Sequence, residues 1–476
     1  MRLPSLCPPC IRPLGTGLLA LAAIAALSIG SRASADAPPQ DALQMTVELL
    51  TRDDAAFRTI GLDRVRYGIR GEAATRQFAG LLSKLAPARQ IELSSALGDR
   101  GDAAALPTLV QLLGGSQDAE VRAAVLRAIG AVGGAAEVPV LTKSLAAADP
   151  EKAAAVRALT VIRGADATGQ IAVAAAQGDA ATRATLIDVL ADRRALSALP
   201  VLVAAAVDDD AKVRSAAMRA LARCGGAEQI DGMIAGVLKA AAGGERDDAE
   251  RAIVTICTQE STKERAAATF MEKYKAADDA TQERLLPVLG RIGGTSALEI
   301  VDGLVAHADA AKRKLGLTTL TKWPDATVSQ RLLDMLAKAT DAGEREQLLG
   351  ALIRIAPLPD NKLNDKEKLE LLKKTMTLCE RSEDRRKVLE RANAIRTIET
   401  LRFVVPYLDD PDLAEPACKS VVELAHHRSL RDANKDEFTK ALDKVLGTTK
   451  NEELVERAER YKQGQTWERK KPAAKS

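Results

Sequence analysis

The chain has 476 residues, 68 of them Lys or Arg and 65 Asp or Glu, with 46% apolar and only 2% aromatic residues. A single hydrophobic core stops growing near ~250–300 residues, so one simple globule is excluded and several domains or a repeat array remain. The apolar share rests on Ala, Leu, Val and Ile, which suits closely packed helices better than β-sheets.

Residues 1–35 read as a secretory signal. Arg2 and Arg12 make the start positive, Gly15 to Gly30 is short, uncharged and apolar, and Ala33-Ser34-Ala35 fits a cleavage site before Asp36. That apolar stretch is shorter than the ~20 residues of a membrane span, an uncleaved anchor being the alternative. Cys7 and Cys10 precede the stretch, whereas a lipid-attachment cysteine would follow it, so neither is given a role. No other stretch is apolar enough to span a bilayer, and no stable membrane span is expected after cleavage. The expected location is periplasmic or secreted, with cleavage after Ala35. Cleavage removes Arg2, Arg12 and Arg32 and no acid, leaving 65 basic against 65 acidic residues. A neutral balance argues against a general binder of nucleic acid or acidic membranes.

From residue 36 onward the dominant signal is a repeat. Asp54 and Pro87 stand at upstream helix starts. Asp118, Asp149, Asp179 and Asp210 follow at spacings of 31, 30 and 31 residues, and after one longer unit Asp248, Asp278, Asp309 and Asp341 resume at 30, 31 and 32. Each is expected to cap a helix, accepting hydrogen bonds from free backbone N–H groups. Gly133-Gly134, Gly164, Gly225-Gly226 and Gly293-Gly294 fall about half a repeat later, where glycine in the left-handed conformation would end the helix. Between the marks, Val121, Val125, Ile129 and Val132 keep helical spacing, as do Val213, Ala217, Leu221 and Cys224. Every unit then holds two short helices that cannot bury their apolar stripes alone and must stack.

The expected fold is an all-α solenoid of about twelve stacked antiparallel helix pairs over residues 36–463, most regular over 100–345 and more charged and irregular over 346–463. Asp384 and Asp410 are looser equivalents of the repeat mark. The polar helix from Lys450 to Tyr461 suits an end cap. Residues 464–476 (GQTWERKKPAAKS) lack periodicity and read as a disordered basic tail.

Asp210-Ala-Lys-Val-Arg214, Met218-Arg219-Ala220-Leu221 and Gly225-Gly226 match Asp118-Ala-Glu-Val-Arg122, Leu126-Arg127-Ala128-Ile129 and Gly133-Gly134. On these residues the chain resembles the HEAT-repeat family, and more narrowly the short HEAT-like repeats of phycobilisome lyases. The resemblance is strongest over residues 100–226. It implies a curved surface that holds other molecules, usually proteins, with the face lined by the Asp-started helices as the contact surface. The long fifth unit, with Gly243-Gly244-Glu245-Arg246, and the charged C-terminal third depart from the pattern.

Chemistry is sparse. The histidines are His307, His426 and His427; no His-Glu-x-x-His occurs, and no Cys-x-x-Cys follows the signal. Some HEAT-repeat hydroxylases bind iron through His-Glu pairs, and this chain has no His-Glu dipeptide. His426-His427 reads as a solvated helix end. No phosphate loop and no Gly-x-Ser-x-Gly is present. Cys224 and Cys257, one repeat apart, fit either a disulfide or two small buried residues, and Cys379 and Cys418 are open in the same way. Trp323-Pro324 reads as a packed loop, with an interface anchor as the alternative. No cofactor, metal or catalytic residue is expected.

Arg122, Lys152, Arg183 and Arg214 recur at 30, 31 and 31 residues, with a second row at Arg127, Arg157 and Arg219 interrupted by Asp188. On a stacked array such rows become lines on one face. They fit either a stripe for an acidic partner or pairing within the chain to acids and carbonyls. The expected function is a non-enzymatic exported scaffold for protein partners. Rivals are an enzyme or enzyme subunit resembling phycobilisome lyases, and an accessory binder of an envelope polymer, which the low aromatic content disfavours. Leu221→Asp is predicted to bury an unpaired charge and unfold at least its own repeat, seen as a lowered melting temperature by circular dichroism; an unchanged melt would place Leu221 off the core.

Overall fold

The computed structural model describes residues 40–359 and 362–467. The signal and the basic part of the tail lie outside the described residues. Among the described residues there are 27 α-helices and no strand, and no helix is long and apolar enough to cross a membrane. They fall into two compact units, one up to Thr108 and one from Leu109.

In the first unit α1 (Gln40–Thr51) packs on α2 (Ala55–Asp63), and α2 and α3 (Glu72–Ala79) both pack on α4 (Pro87–Arg100). The Asp54 carboxylate accepts from the Ala56 amide at 2.8 Å, and Pro87 opens α4, as their sequence positions require. Leu50, Val65, Phe78, Leu82 and Leu97 form the core.

The second unit is a run of helix pairs. The first five are α5 (Leu106–Gly115) with α6 (Ala119–Val132), α7 (Val138–Lys143) with α8 (Glu151–Val161), α9 (Ala165–Ala175) with α10 (Ala180–Asp192), α11 (Leu199–Ala205) with α12 (Ala211–Cys224), and α13 (Ile230–Lys239) with α14 (Gly244–Thr258). Next come α15 (Lys263–Ala276) with α16 (Asp279–Ile292), α17 (Thr295–Val305) with α18 (Ala310–Leu320), and α19 (Ser329–Leu336) with α20 (Ala342–Ile355). The charged third supplies α21 (Asp365–Leu378) with α22 (Ser382–Ala392), α23 (Ile398–Val404) with α24 (Ala414–His426), the short α25 (Arg428–Ala433), and α26 (Lys435–Thr448) with α27 (Glu452–Lys462). Second helices stack on second helices: α6 on α8, α8 on α10, and onward through α12, α14 and α16 to α18. Beyond the α18–α20 step, which Arg354 bridges by donating to the Thr321 and Trp323 carbonyls, α20, α22 and α24 continue the stack to α26 and α27. Each pair buries its apolar stripe only against its neighbours, which makes the unit an α-solenoid.

Asp118, Asp179, Asp210, Asp278, Asp309 and Asp341 cap α6, α10, α12, α16, α18 and α20 through their carboxylates. Two marks behave otherwise. Asp149 is joined to Pro150 by a cis peptide and accepts from Ala153 N at 3.1 Å, while α8 starts at Glu151. Asp248 lies inside α14, which already starts at Gly244, so it caps nothing and pairs with Arg251. The longer unit spends its extra residues before the helix. Asp384 sits within the first turn of α22, and Asp410 in the turn ahead of α24.

The glycine marks work differently from the left-handed caps expected. Gly133 and Gly225 end α6 and α12 with extended backbone, at φ −83° and −79°. What they need is room: a Cβ on Gly133 would stand 2.6 Å from the Ile129 carbonyl oxygen, and one on Gly225 2.6 Å from that of Leu221. At Gly293 the backbone does turn to φ 73°.

Val121, Val125, Ile129, Val213, Ala217 and Leu221 are fully buried. Trp323 is 1% exposed, a packed loop residue. The four cysteines among the described residues, Cys224, Cys257, Cys379 and Cys418, are free thiols, and burial pushes Cys257 and Cys418 up to about 12 and Cys379 up to about 11. Gly225→Ala should cost about 1–3 kcal/mol through the clash with the Leu221 carbonyl. Gly169→Ala, exposed within α9 with open space around it, should gain about 0.5–1 kcal/mol. Urea unfolding of the two variants checks both signs.

Candidate functional site

The surface that the repeat organises is the edge where each second helix begins. A capping Asp fixes the first turn, and the residue four positions on lies one turn along the same face. Side chains lean toward the helix N-terminus, so a long donor there reaches the last carbonyls of the preceding helix, which have no partner of their own. Arg122 does this: Nη1 bonds the Leu113 carbonyl, and the Nε–Nη2 fork takes both oxygens of Glu151 at 2.8 and 2.6 Å. Arg214 donates to the Asp208 and Asp209 carbonyls at 2.7 and 2.9 Å and to Glu245 at 2.7 Å. Arg183 pairs with Asp208. The pattern runs on in Arg313, which bonds the His307 carbonyl at 2.8 Å, and in Arg345, which bonds Leu336 and Ala339 carbonyls and reaches Glu380 at 2.7 Å. Gln282 does the neutral version, donating to the Ala277 carbonyl at 3.0 Å.

The structure therefore places Arg122, Arg183 and Arg214 in pairs within the chain. Lys152 stands apart. It is three residues past Asp149 instead of four, the fourth being Ala153, and its side chain is exposed. In the second row Arg127 and Arg157 are exposed on the packed helices α6 and α8. Arg219 meets Asp188 at 3.2 Å, so the residue that interrupts the row is the acid partner of its next member. Arg223 and Asp192 repeat that pairing at 2.5 Å one turn on.

The acid partners Glu151, Asp208 and Glu245 carry the missed half of the pattern. Their signal is an acid at or just before the start of the following second helix. Hydrogen bonds from Arg122 hold the Glu151 carboxyl below its ordinary range, and those from Arg214 do the same for Glu245, in each case against the opposite push of burial. Elsewhere, His307 Nδ1 accepts from the Asp309 amide at 2.9 Å, and His426 Nδ1 lies 2.8 Å from the Tyr461 hydroxyl instead of standing free at its helix end. Among the described residues no group of three or more His, Cys, Asp or Glu stands together as a metal site would need.

Helix pairs capped by aspartate and tied by an arginine one turn on define an α-solenoid of short helical repeats. Residues 78–160 match the family model described as HEAT repeats. No curated protein matches the sequence. Among solved structures, Kap121p is 11% identical with a TM-score of 0.43, covering 89% of this chain and 56% of its own. Kap121p bound to Pho4p is 10% identical at 0.44, covering 88% and 57%. Human deoxyhypusine hydroxylase in complex with glycerol is 16% identical at 0.23, covering 60% and 96%. The chain thus spans little more than half the length of the two Kap121p chains.

Arg214→Ala should destabilise the chain by about 2–3 kcal/mol, because it strips charge-assisted bonds from a nearly buried group. Arg219→Ala, at an exposed pair, should cost under about 1 kcal/mol. Glu151 and Glu245, with folded values depressed, contribute stability that is complete above the ordinary carboxyl value of ~4.3 and lost as the pH falls through the depressed one. Melts from about pH 7 to about pH 3 should fall at the acid end, and less steeply in Glu151→Gln/Glu245→Gln.

Proposed function

We propose that this chain is an exported, non-enzymatic scaffold that binds a protein partner along the edge and outer face of its second helices. The observation that carries the reading is the division of labour among the repeated cations. Arg122, Arg183 and Arg214 are engaged within the chain, whereas Arg127, Lys152 and Arg157 stand exposed on two adjoining helices. Stacked repeats bring Arg127 and Arg157 into one row, with Lys152 from the neighbouring row, and such a patch of unneutralised cations suits an acidic segment on a partner. The overall charge balance disfavours nucleic acid as the partner.

Export is part of the proposal and rests on Arg2, Arg12, the apolar stretch from Gly15 to Gly30 and the Ala33-Ser34-Ala35 site. The mature chain would begin at Asp36 and work in the periplasm or the medium. The test uses full-length protein made in its native cell, with N-terminal sequencing of the exported form and mass spectrometry of what it retains. A start at Asp36 is expected, together with a partner whose retention falls at least tenfold in Arg127→Glu/Lys152→Glu/Arg157→Glu. A chain found uncleaved in the cytoplasm overturns the export reading, and retention unaffected by charge reversal overturns the stripe.

A further inference from the structure

Exposed apolar side chains gather in the first unit. Met45 is 52% exposed, Phe57 42%, Ile60 49% and Tyr67 75%. Among the described residues the other large apolar side chains so exposed, Val110, Val161, Val173, Leu196 and Val207, are all aliphatic and lie scattered from α5 to just past α11. Phe57, Ile60, Arg64 and Tyr67 follow one another at 3, 4 and 3 residues, along one face of α2 and of the single π-helical turn, Arg64–Gly68, that continues it. Asp41, Met45, Glu48 and Arg52 follow at 4, 3 and 4 residues, along one face of α1 and the residue after it. The two faces meet side by side. Arg64 Nη1 donates to the Met45 Sδ at 3.2 Å, and the Arg52 guanidinium lies 4.9 Å over the Phe57 ring.

The charges on this patch are unmatched. Elsewhere in the unit Arg58 pairs with Glu92, Arg66 with Asp63 and Asp99, Arg76 with Glu72, and Arg89 with Asp53. Asp41, Glu48, Arg52 and Arg64 have no ion-pair partner among the described residues. Two acids and two bases thus surround four apolar side chains. Monomeric proteins seldom leave such a cluster bare, and Phe, Tyr, Met and Arg are the residues enriched where protein surfaces bury one another.

We propose that this face pairs with the same face of a second copy of the chain in a two-fold homodimer. In such a pair each patch meets itself, so the surface must carry its own counter-charges. A patch of one sign would repel its copy, whereas this one offers two charges of each sign for the acids of one copy to face the bases of the other. Met45, Phe57, Ile60 and Tyr67 supply the apolar centre of the contact. Asp41 and Glu48 disfavour an anionic lipid surface as the occupant. The patch is small, so the association is weak, with a dissociation constant of about 1–100 µM. A dimer presents the stripe on α6 and α8 twice and holds a partner with two acidic segments by avidity. The face shares no residue with that stripe, and either can fail without the other.

Sedimentation velocity of the full-length chain made in its native cell, from about 1 to about 500 µM, tests the pairing. A reversible monomer–dimer equilibrium is expected, with the dissociation constant raised at least tenfold in Phe57→Glu/Ile60→Glu. Asp41→Arg/Glu48→Arg makes the face wholly basic and Arg52→Glu/Arg64→Glu wholly acidic. Each alone is expected to stay monomeric, and an equimolar mixture to form a one-to-one heterodimer. The substituted positions are exposed apart from the half-buried Arg64, so Phe57→Glu/Ile60→Glu and Asp41→Arg/Glu48→Arg decide the matter if the Arg64 variant fails to fold. A chain still monomeric at about 500 µM, a dimer indifferent to Phe57→Glu/Ile60→Glu, or charge variants that dimerise alone or fail to pair when mixed overturns the proposal. So does a monomeric chain that floats with phosphatidylglycerol vesicles, which assigns the patch to a membrane.

Discussion

An arginine one turn past the start of a second helix holds three elements at once. It closes the carbonyl end of the helix before it, packs along its own helix, and bonds an acid that belongs to the next repeat. Arg122 does all three, and Arg345 does so further along, while Arg214 bonds the loop carbonyls of Asp208 and Asp209 in place of the helix end and reaches Glu245 in the next repeat. A solenoid needs such a device because apolar stripes alone permit neighbouring helices to slide. Burial is non-directional, whereas a guanidinium fork fixes distance and angle together. The repeat marked by Asp149 lacks its own arginine, Ala153 taking that position, and is held instead by Arg122 on Glu151 and by Arg193 on the Leu159, Thr160 and Ile162 carbonyls.

Small residues complete that packing. Gly130 in α6 and Gly290 in α16 occupy the same place in their repeats, twelve residues past the capping Asp. A Cβ on Gly130 would stand 2.5 Å from the Ala158 Cα on α8, and one on Gly290 2.7 Å from the Thr319 carbonyl oxygen on α18. Backbones that approach this closely leave little space for rings, which accounts for a 50.4 kDa chain with only 2% aromatic residues.

The helix pairs and their period were legible in the sequence because capping and apolar periodicity are local and recur. Asp118 and Asp210 could be placed from their own neighbours. What escaped was whatever depends on a second segment. Asp248 has the spacing of a cap but not its role, since the insertion ahead of it shifts the helix start to Gly244. Gly133 and Gly225 mark helix ends in sequence, yet their backbone is extended and the reason for glycine is a carbonyl four residues back. The basic row was visible, but its acids lie 25 to 31 residues downstream, and no pattern within one repeat names them.

The buried thiols have a consequence for how the array opens. Cys257, Cys379 and Cys418 lie in α14, just past α21, and in α24, with values pushed up to between about 11 and about 12. A thiol so protonated and enclosed reacts only when its own repeat loosens, because the thiolate is the reactive form. The three sulfurs therefore act as separate clocks at different depths of one stack. Their relative rates of modification would record the order in which neighbouring repeats breathe, without any foreign label placed in the chain.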